Sequence, residues 1–326
     1  MKRIRVFALW MFSLNLAQGQ TNDQFKPEGK PFMRIFNNFH TSFSDGKPAS
    51  SFELTRLYLG YEYAFSENFT ALATIDIANP GAGNLEMTAF AKNAYLNYHT
   101  DKLCVFFGII PTTQFKVQED YWGYRYIEKS FQDAYNLNSS ADLGMSLRYQ
   151  VADFLSADVI IQNGEGYKKL DSDSVLRAGF GITLHPVKKL TSRFYCDFSH
   201  NESTLSSLSL FTGYANDHFS LAAEYNKQVN YDFQEGADLY GTSFYGTLQA
   251  TKKIKLLARY DKLMSNKVSG TSVDWNLAKD GELYIAGVEF TIAKGIKFSP
   301  NLRGWDSAAP GESFRSSIYF NLEIKL

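Results

Sequence analysis

The chain has 326 residues, with 33 Lys and Arg against 34 Asp and Glu and a formal net charge of −1. This near balance provides no basic field for a polyanion, which excludes nucleic acid as a partner. Two cysteines exclude a disulfide framework, while 16% aromatic residues, 27 of them Phe and 20 Tyr, require apolar surface to be spread through the chain.

The first element is MKRIRVFALWMFSLNLAQGQ. Lys2, Arg3 and Arg5 precede a mostly apolar run from Val6 to Ala17, which ends in the small-x-small site Ala17-Gln18-Gly19. This order reads as a secretory signal peptide over 1–19, since the apolar run is too short to span a bilayer. An N-terminal core helix is the alternative. No Cys follows the run, so a lipid anchor is not expected.

Residues 20–326 contain no apolar run near the roughly 18–20 residues of a membrane helix. The longest, Leu103 to Ile110, is interrupted by Gly108. Alternation takes its place. Leu57, Leu59, Tyr61, Tyr63 and Phe65 oppose Arg56, Tyr58, Gly60 and Glu62; Phe69, Ala71, Ala73, Ile75 and Ile77 oppose Thr70, Thr74 and Asp76. In 141–151, Ala141, Leu143, Met145, Leu147, Tyr149 and Val151 share one face, and Asp142, Gly144, Ser146, Arg148 and Gln150 the other. A period of 2 predicts strands with one apolar and one polar side. The pattern recurs from Leu155 and from Ser316. Weaker versions begin near Met33, Thr88, Leu103, Ser174, Leu190, Ser206, Phe219, Tyr240, Ile254, Leu283 and Ile296, giving about 16 strands. Cys104 and Cys196 sit inside such runs and read as separate thiols.

The breaks alternate as well. Short ones are expected at 66–68, 100–102, 152–153, 185–189, 215–217, 251–253 and 293–295. Longer polar ones are expected at 44–51, 79–87, 112–140, 164–173, 200–205, 229–239, 264–280 and 306–313. Short turns at one rim and long loops at the other define an all-β transmembrane antiparallel barrel of the outer membrane, with turns in the periplasm and loops outside. An open sheet edge cannot be satisfied in lipid, so the sheet must close, and about 16 strands leave room for a water-filled lumen. The expectation is one barrel domain over 20–326 without a plug domain, embedded in outer-membrane lipid and passing small hydrophilic solutes or inorganic ions.

The stretches QFKVQEDYWGYRYIEKSFQDAY (114–135), SSADLG (139–144) and QNGEGYKKL (162–170) resemble porin-like outer-membrane proteins of Bacteroidetes, relatives of the phosphate-selective porin O and P group. The resemblance implies a 16-stranded pore, a homotrimer, and a third loop folded inward. The arginine ladder of the phosphate-selective members has no residue-by-residue counterpart here, so phosphate selectivity is not implied.

Residues 112–140 form the third and longest loop, and loops of such length are usually functional. Folded inward, it would set a constriction from Lys116, Glu119, Asp120, Tyr121, Trp122, Arg125, Glu128 and Lys129, with its aromatics packed on the wall. The alternative is a surface loop packed on a neighbouring subunit. Strand parity places Arg34, Arg56, Glu62, Asp76, Asp142, Arg148, Asp158, Arg177, Arg193, Asp197, Arg303 and Arg315 on the pore lining, with Glu224, Asp261, Glu289 and Glu323 among them. Both signs occur in similar numbers, which favours a self-satisfied lumen over a selective ladder.

No Gly-x-Ser-x-Gly elbow or His-Glu-x-x-His pair is present, so neither an enzyme nor a cofactor or metal is expected. Asp171-Ser-Asp173 reads as a solvated turn, with calcium ligation as the alternative. An adhesin using its long loops as a platform, and an outer-membrane hydrolase, are the competing functions.

Overall fold

The structure is a computed structural model that describes residues 25–44, 46–79 and 86–326. The signal-peptide reading of 1–19 lies outside the described residues.

Sixteen strands run in chain order: β1 Glu28–Ser44, β2 Lys47–Ala64, β3 Phe69–Ala78, β4 Thr88–His99, β5 Leu103–Pro111, β6 Ala141–Ala152, β7 Leu155–Gln162, β8 Arg177–Leu184, β9 Leu190–His200, β10 Thr204–Ala215, β11 Phe219–Val229, β12 Leu239–Thr251, β13 Ile254–Ser265, β14 Gly281–Ala293, β15 Ile296–Ser307 and β16 Arg315–Lys325. Each pairs antiparallel with its sequence neighbours, and β1 closes on β16 with Phe39 opposite Phe320. The result is a closed barrel with no free sheet edge, as the alternation predicts.

The barrel is apolar outside and polar inside, the reverse of a water-soluble core. In β9, Arg193, Asp197 and Ser199 are buried in the interior, whereas Phe198 is 60% exposed on the outer face. In β6, Leu143, Met145, Tyr149 and Val151 point outward and Asp142 and Ser146 are buried within. A row of exposed apolar side chains closed around buried carboxylates is stable only where the outside is not water.

Breaks after even-numbered strands are short: 65–68, 100–102, 153–154, 185–189, 216–218, 252–253 and 294–295. Most breaks after odd-numbered strands are longer, with two corrections. The loop expected at 44–51 is absent, because Ser44 pairs with Lys47 and Phe43 with Pro48, extending β1 and β2 as one hairpin. The loop expected at 200–205 shrinks to 201–203, since Thr204 already pairs with His200. Extra ladder hydrogen bonds outweigh loop entropy wherever two strands can simply keep pairing. Of the break at 79–87, residues 80–85 lie outside the described residues.

The register shifts at five places, three of them at strand ends beside short turns and two within the strands. Of the latter two, one lies opposite Phe36 and Asn37 and leaves Thr55 unpaired, its hydroxyl donating to the Phe36 carbonyl at 3.0 Å. In the other, Thr74 pairs with Asn93 and Ile75 with Ala91, which leaves Lys92 as the extra residue. A bulge places two successive side chains on the same side of the sheet.

Candidate constriction site

The segment 112–140 begins where Pro111 ends β5 and returns at Ala141. It carries two short helices, α1 Lys116–Trp122 and α2 Phe131–Ala134, so the loop expected there has secondary structure of its own. Gly123 stops α1 in the left-handed region (φ 68°), with its N–H bonded to the Glu119 carbonyl. Helical spacing then sorts the side chains. Gln118 and Trp122 face the barrel wall and are buried, while Lys116 and Asp120 pair with each other on the opposite, wetter face.

Four wall arginines hold the main chain of this segment. Arg193 donates to the Thr113 carbonyl at 2.8 Å, Arg177 to the Leu137 carbonyl at 3.4 Å, Arg259 to the Lys129 carbonyl at 2.5 Å and Arg303 to the Ile127 carbonyl at 2.5 Å. Each is also charge-paired: Arg193 with Asp158 at 2.7 Å, Arg177 with Asp197 at 3.0 Å, Arg259 with Asp261 at 2.6 Å, and Arg303 with Glu128 at 2.9 Å. A buried guanidinium with its charge met on one side retains directed N–H donors for another partner. Here that partner is backbone.

Side chains complete the docking. Gln118 and Gln132 both donate to the Ser209 hydroxyl, at 3.0 and 3.1 Å, and Asn321 donates to the Tyr126 carbonyl at 2.8 Å. The Tyr126 hydroxyl donates to Glu289 at 2.8 Å. Burial, with Glu289 second, pushes the phenols of Tyr124 and Tyr126 up, so both stay protonated and Tyr126 keeps its proton for Glu289. Two wall glycines make close approach possible: a Cβ on Gly213 would lie 2.5 Å from the Tyr121 ring, and one on Gly241 2.6 Å from the Phe131 ring.

The expected constriction residues fall into two groups. Lys116 and Asp120 face outward from the docked surface, and Lys129 stands 3.9 Å from Asp133. Trp122 is 1% exposed, donates its indole N–H to the Glu128 carbonyl at 2.8 Å and lies beneath the Arg259 guanidinium at 4.9 Å; it anchors the segment and presents no face to the lumen. Tyr121 donates to the Gly213 carbonyl at 2.8 Å. Arg125 pairs with Glu119 at 2.8 Å and with Asp133, and donates to the Tyr58 hydroxyl at 3.3 Å. Glu128 is taken up by Arg303.

Among the expected lining residues, Arg56 pairs with Asp76 at 2.6 Å and Arg34 lies 3.6 Å from Glu323. Asp142 caps the next loop by accepting from the Gly164 N–H at 2.7 Å. Glu62, Arg148 and Arg315 are exposed. Arg259 was not among the parity arginines although it shares the inward face with Asp261, two residues away. Lys92 was missed because its bulge breaks the parity; its ammonium bonds the Ser140 hydroxyl at 3.1 Å. Asp171 accepts the Ser174 N–H at 2.9 Å, so the Asp171-Ser-Asp173 motif forms an exposed turn.

A polar cavity of about 570 Å³, lined by Arg56, Arg125, Lys129, Tyr167 and Lys168, opens on the long-loop side of the segment. Another of about 430 Å³, lined by Asp120, Tyr124, Lys255 and Lys297, lies on the short-turn side. A further depression, about 940 Å³, is an apolar groove on the outer face along Phe219, Leu221, Phe244 and Leu256.

A 16-stranded closed barrel with a polar interior and an inwardly docked third loop defines the fold class of outer-membrane porins. Solved structures share the barrel. The outer membrane channel DcaP of Acinetobacter baumannii superposes with a TM-score of 0.68 at 12% identity, over 92% of this chain and 97% of that one. The anion-selective porin from Comamonas acidovorans gives 0.67 at 10%, over 92% and 100%. Salmonella typhi OmpF, in complex with daunomycin, gives 0.67 at 14%, over 91% and 97%. At these identities the likeness is one of fold. No family model matches the chain, and no curated protein matches it.

Proposed function

We propose that the protein is an outer-membrane porin, a water-filled channel for passive diffusion of small hydrophilic solutes or ions, narrowed by the segment 112–140. One observation carries the reading: the longest loop is bonded to inward faces on several sides of the barrel, with polar cavities above and below it. An adhesin would present its longest loop outward. A hydrolase would gather a nucleophile and a base, whereas the interior groups described here are spent on pairs and main-chain contacts.

In this reading the chain is exported by residues 1–19, the remainder is one barrel, and short turns face the periplasm. Membership of the Bacteroidetes porin-like group, by the stretches at 114–135, 139–144 and 162–170, is part of the proposal. So is assembly as a homotrimer. Recording from planar bilayers tests it: stepwise conductance from the purified full chain supports the pore, and a folded, inserted protein without conductance removes it.

A further inference from the structure

The bulge in β4 turns Lys92 inward, beside the segment 112–140. Its ammonium lies 4.9 Å from the centroid of the Tyr58 ring and 5.5 Å from that of Tyr167, and bonds Ser140. Among the described residues no carboxylate stands within ion-pair distance of it, whereas Arg56 has Asp76, and Arg125 has Glu119 and Asp133. Lys168 repeats the pattern one ring further out. Its ammonium sits 5.1 Å over Phe90, which meets Tyr167 edge-on at 6.4 Å, and it too has no carboxylate in ion-pair distance. Burial first, and the Arg56 charge second, hold the Lys168 ammonium below its ordinary value. Cations crowded without a counter-ion behave in this way.

Arg56 and Arg125 are met by Asp76, Glu119 and Asp133, and the outer part of the cavity carries Glu165, Asp173 and Asp232 beside Lys169. What sets Lys92 and Lys168 apart is the lack of a carboxylate at ion-pair distance from either ammonium, among the described residues, and not a net surplus. Aromatic faces hold an ammonium weakly compared with a carboxylate, so Lys92 and Lys168 retain attraction for an anion. These carboxylates, Glu165, Asp173 and Asp232 at the cavity wall included, oppose a second negative charge on any solute. Tyr167 and Lys168 line the cavity of about 570 Å³ on the long-loop side, and Lys92, half-buried, stands 5.5 Å from the Tyr167 ring.

We infer that Lys92 and Lys168, with the Tyr58 and Tyr167 rings, form a binding site for a small, singly charged carboxylate solute at the long-loop approach to the constriction. The inference rests on the pore reading for its purpose, though binding can be measured without conduction. Carbon-13-labelled acetate and gluconate would be titrated into the full chain folded in detergent and followed by calorimetry and NMR line broadening. Lys92→Gln should weaken gluconate binding at least tenfold, Lys92→Arg should retain it, and Lys102→Gln, in a turn on the opposite rim, should match wild type. If Lys92→Gln does not fold, Lys168→Gln on the exposed loop carries the same expectation. Equal binding by wild type and both Gln variants overturns the site. Inorganic phosphate at pH 8 binding more tightly than gluconate overturns the assignment to singly charged carboxylates. A wild type that binds but does not conduct leaves the site standing and removes the pore reading.

Discussion

Arg259 on β13 donates a hydrogen bond of 2.5 Å to the carbonyl of Lys129, joining residues 130 positions apart, while its other nitrogens chelate Asp261. Both charged side chains are completely buried. Removing one partner strands the other, and a buried uncompensated charge costs about 3–5 kcal/mol. Arg259→Met should therefore destabilise the barrel by about that much in urea unfolding followed by tryptophan fluorescence. The double variant Arg259→Met with Asp261→Asn should recover most of the loss. If the double variant is no better than the single, the pair is not the source of the effect.

The two faces of β6 give a second expectation. Leu147 points outward and pairs with Val159 across the outer surface. Leu147→Arg should impair membrane assembly, because a charge near the bilayer midplane costs about 2–4 kcal/mol. Glu62→Arg, on an exposed inward position, should assemble normally. Ser146 is unsuitable as that control: parity places it inward, but it is buried and has no room for an arginine. Heat-modifiable migration on gels reads the outcome, and equal damage from both variants contradicts the sidedness.

This contrast marks what the sequence made legible. A period of 2 is written residue by residue, so faces, strand number and most turns follow from it. Partners are not written there. Arg177, Arg193 and Arg303 read as lining an open lumen, yet each reaches the main chain of a segment tens of residues away. Lys92 stayed hidden because one extra residue in β4 resets the count. The loops expected at 44–51 and 200–205 were polar enough to read as loops, but they could continue an existing ladder.

Asp133 supplies a pH expectation. Burial is the largest single influence and opposes its charge, but the Arg125 charge and hydrogen bond together with Lys129 and Lys92 outweigh it, and the carboxyl is held down to about 2. A carboxylate with a folded pKa below its unfolded value, near 3.9, stabilises the fold above that value and loses this as pH falls toward the folded one. Wild type should exceed Asp133→Asn by about 2–3 kcal/mol at pH 7. The gap should close between about pH 4 and pH 2. Urea midpoints across that range measure it, and a gap independent of pH would detach Asp133 from Arg125.

Rim assignment can be read on cells. A short epitope inserted between Asp171 and Ser172 should bind antibody on intact cells, because long loops face outward in such barrels. The same epitope between Asp101 and Lys102 should require permeabilised cells. The opposite pattern inverts the topology.

The last expectation concerns the segment itself. Replacing 119–133 with a few Gly and Ser residues removes Arg125, Glu128, Tyr126 and α2 together, but leaves the wall pairs Arg259–Asp261 and Arg193–Asp158 intact. Strand content by circular dichroism should therefore stay near that of wild type. Conductance should rise, and larger sugars should enter proteoliposomes, because the docked mass between the two polar cavities is gone. A finer variant separates size from charge. Arg125→Glu with Lys129→Glu keeps the segment's length but reverses two charges beside Lys92 and Arg56, which should move the reversal potential toward cation preference. The shift should be largest in dilute salt, since screening acts over about 10 Å at 0.1 M. Should both variants assemble and conduct with wild-type size and selectivity, the ion path runs elsewhere, and the buried contacts of 112–140 serve the barrel's stability alone.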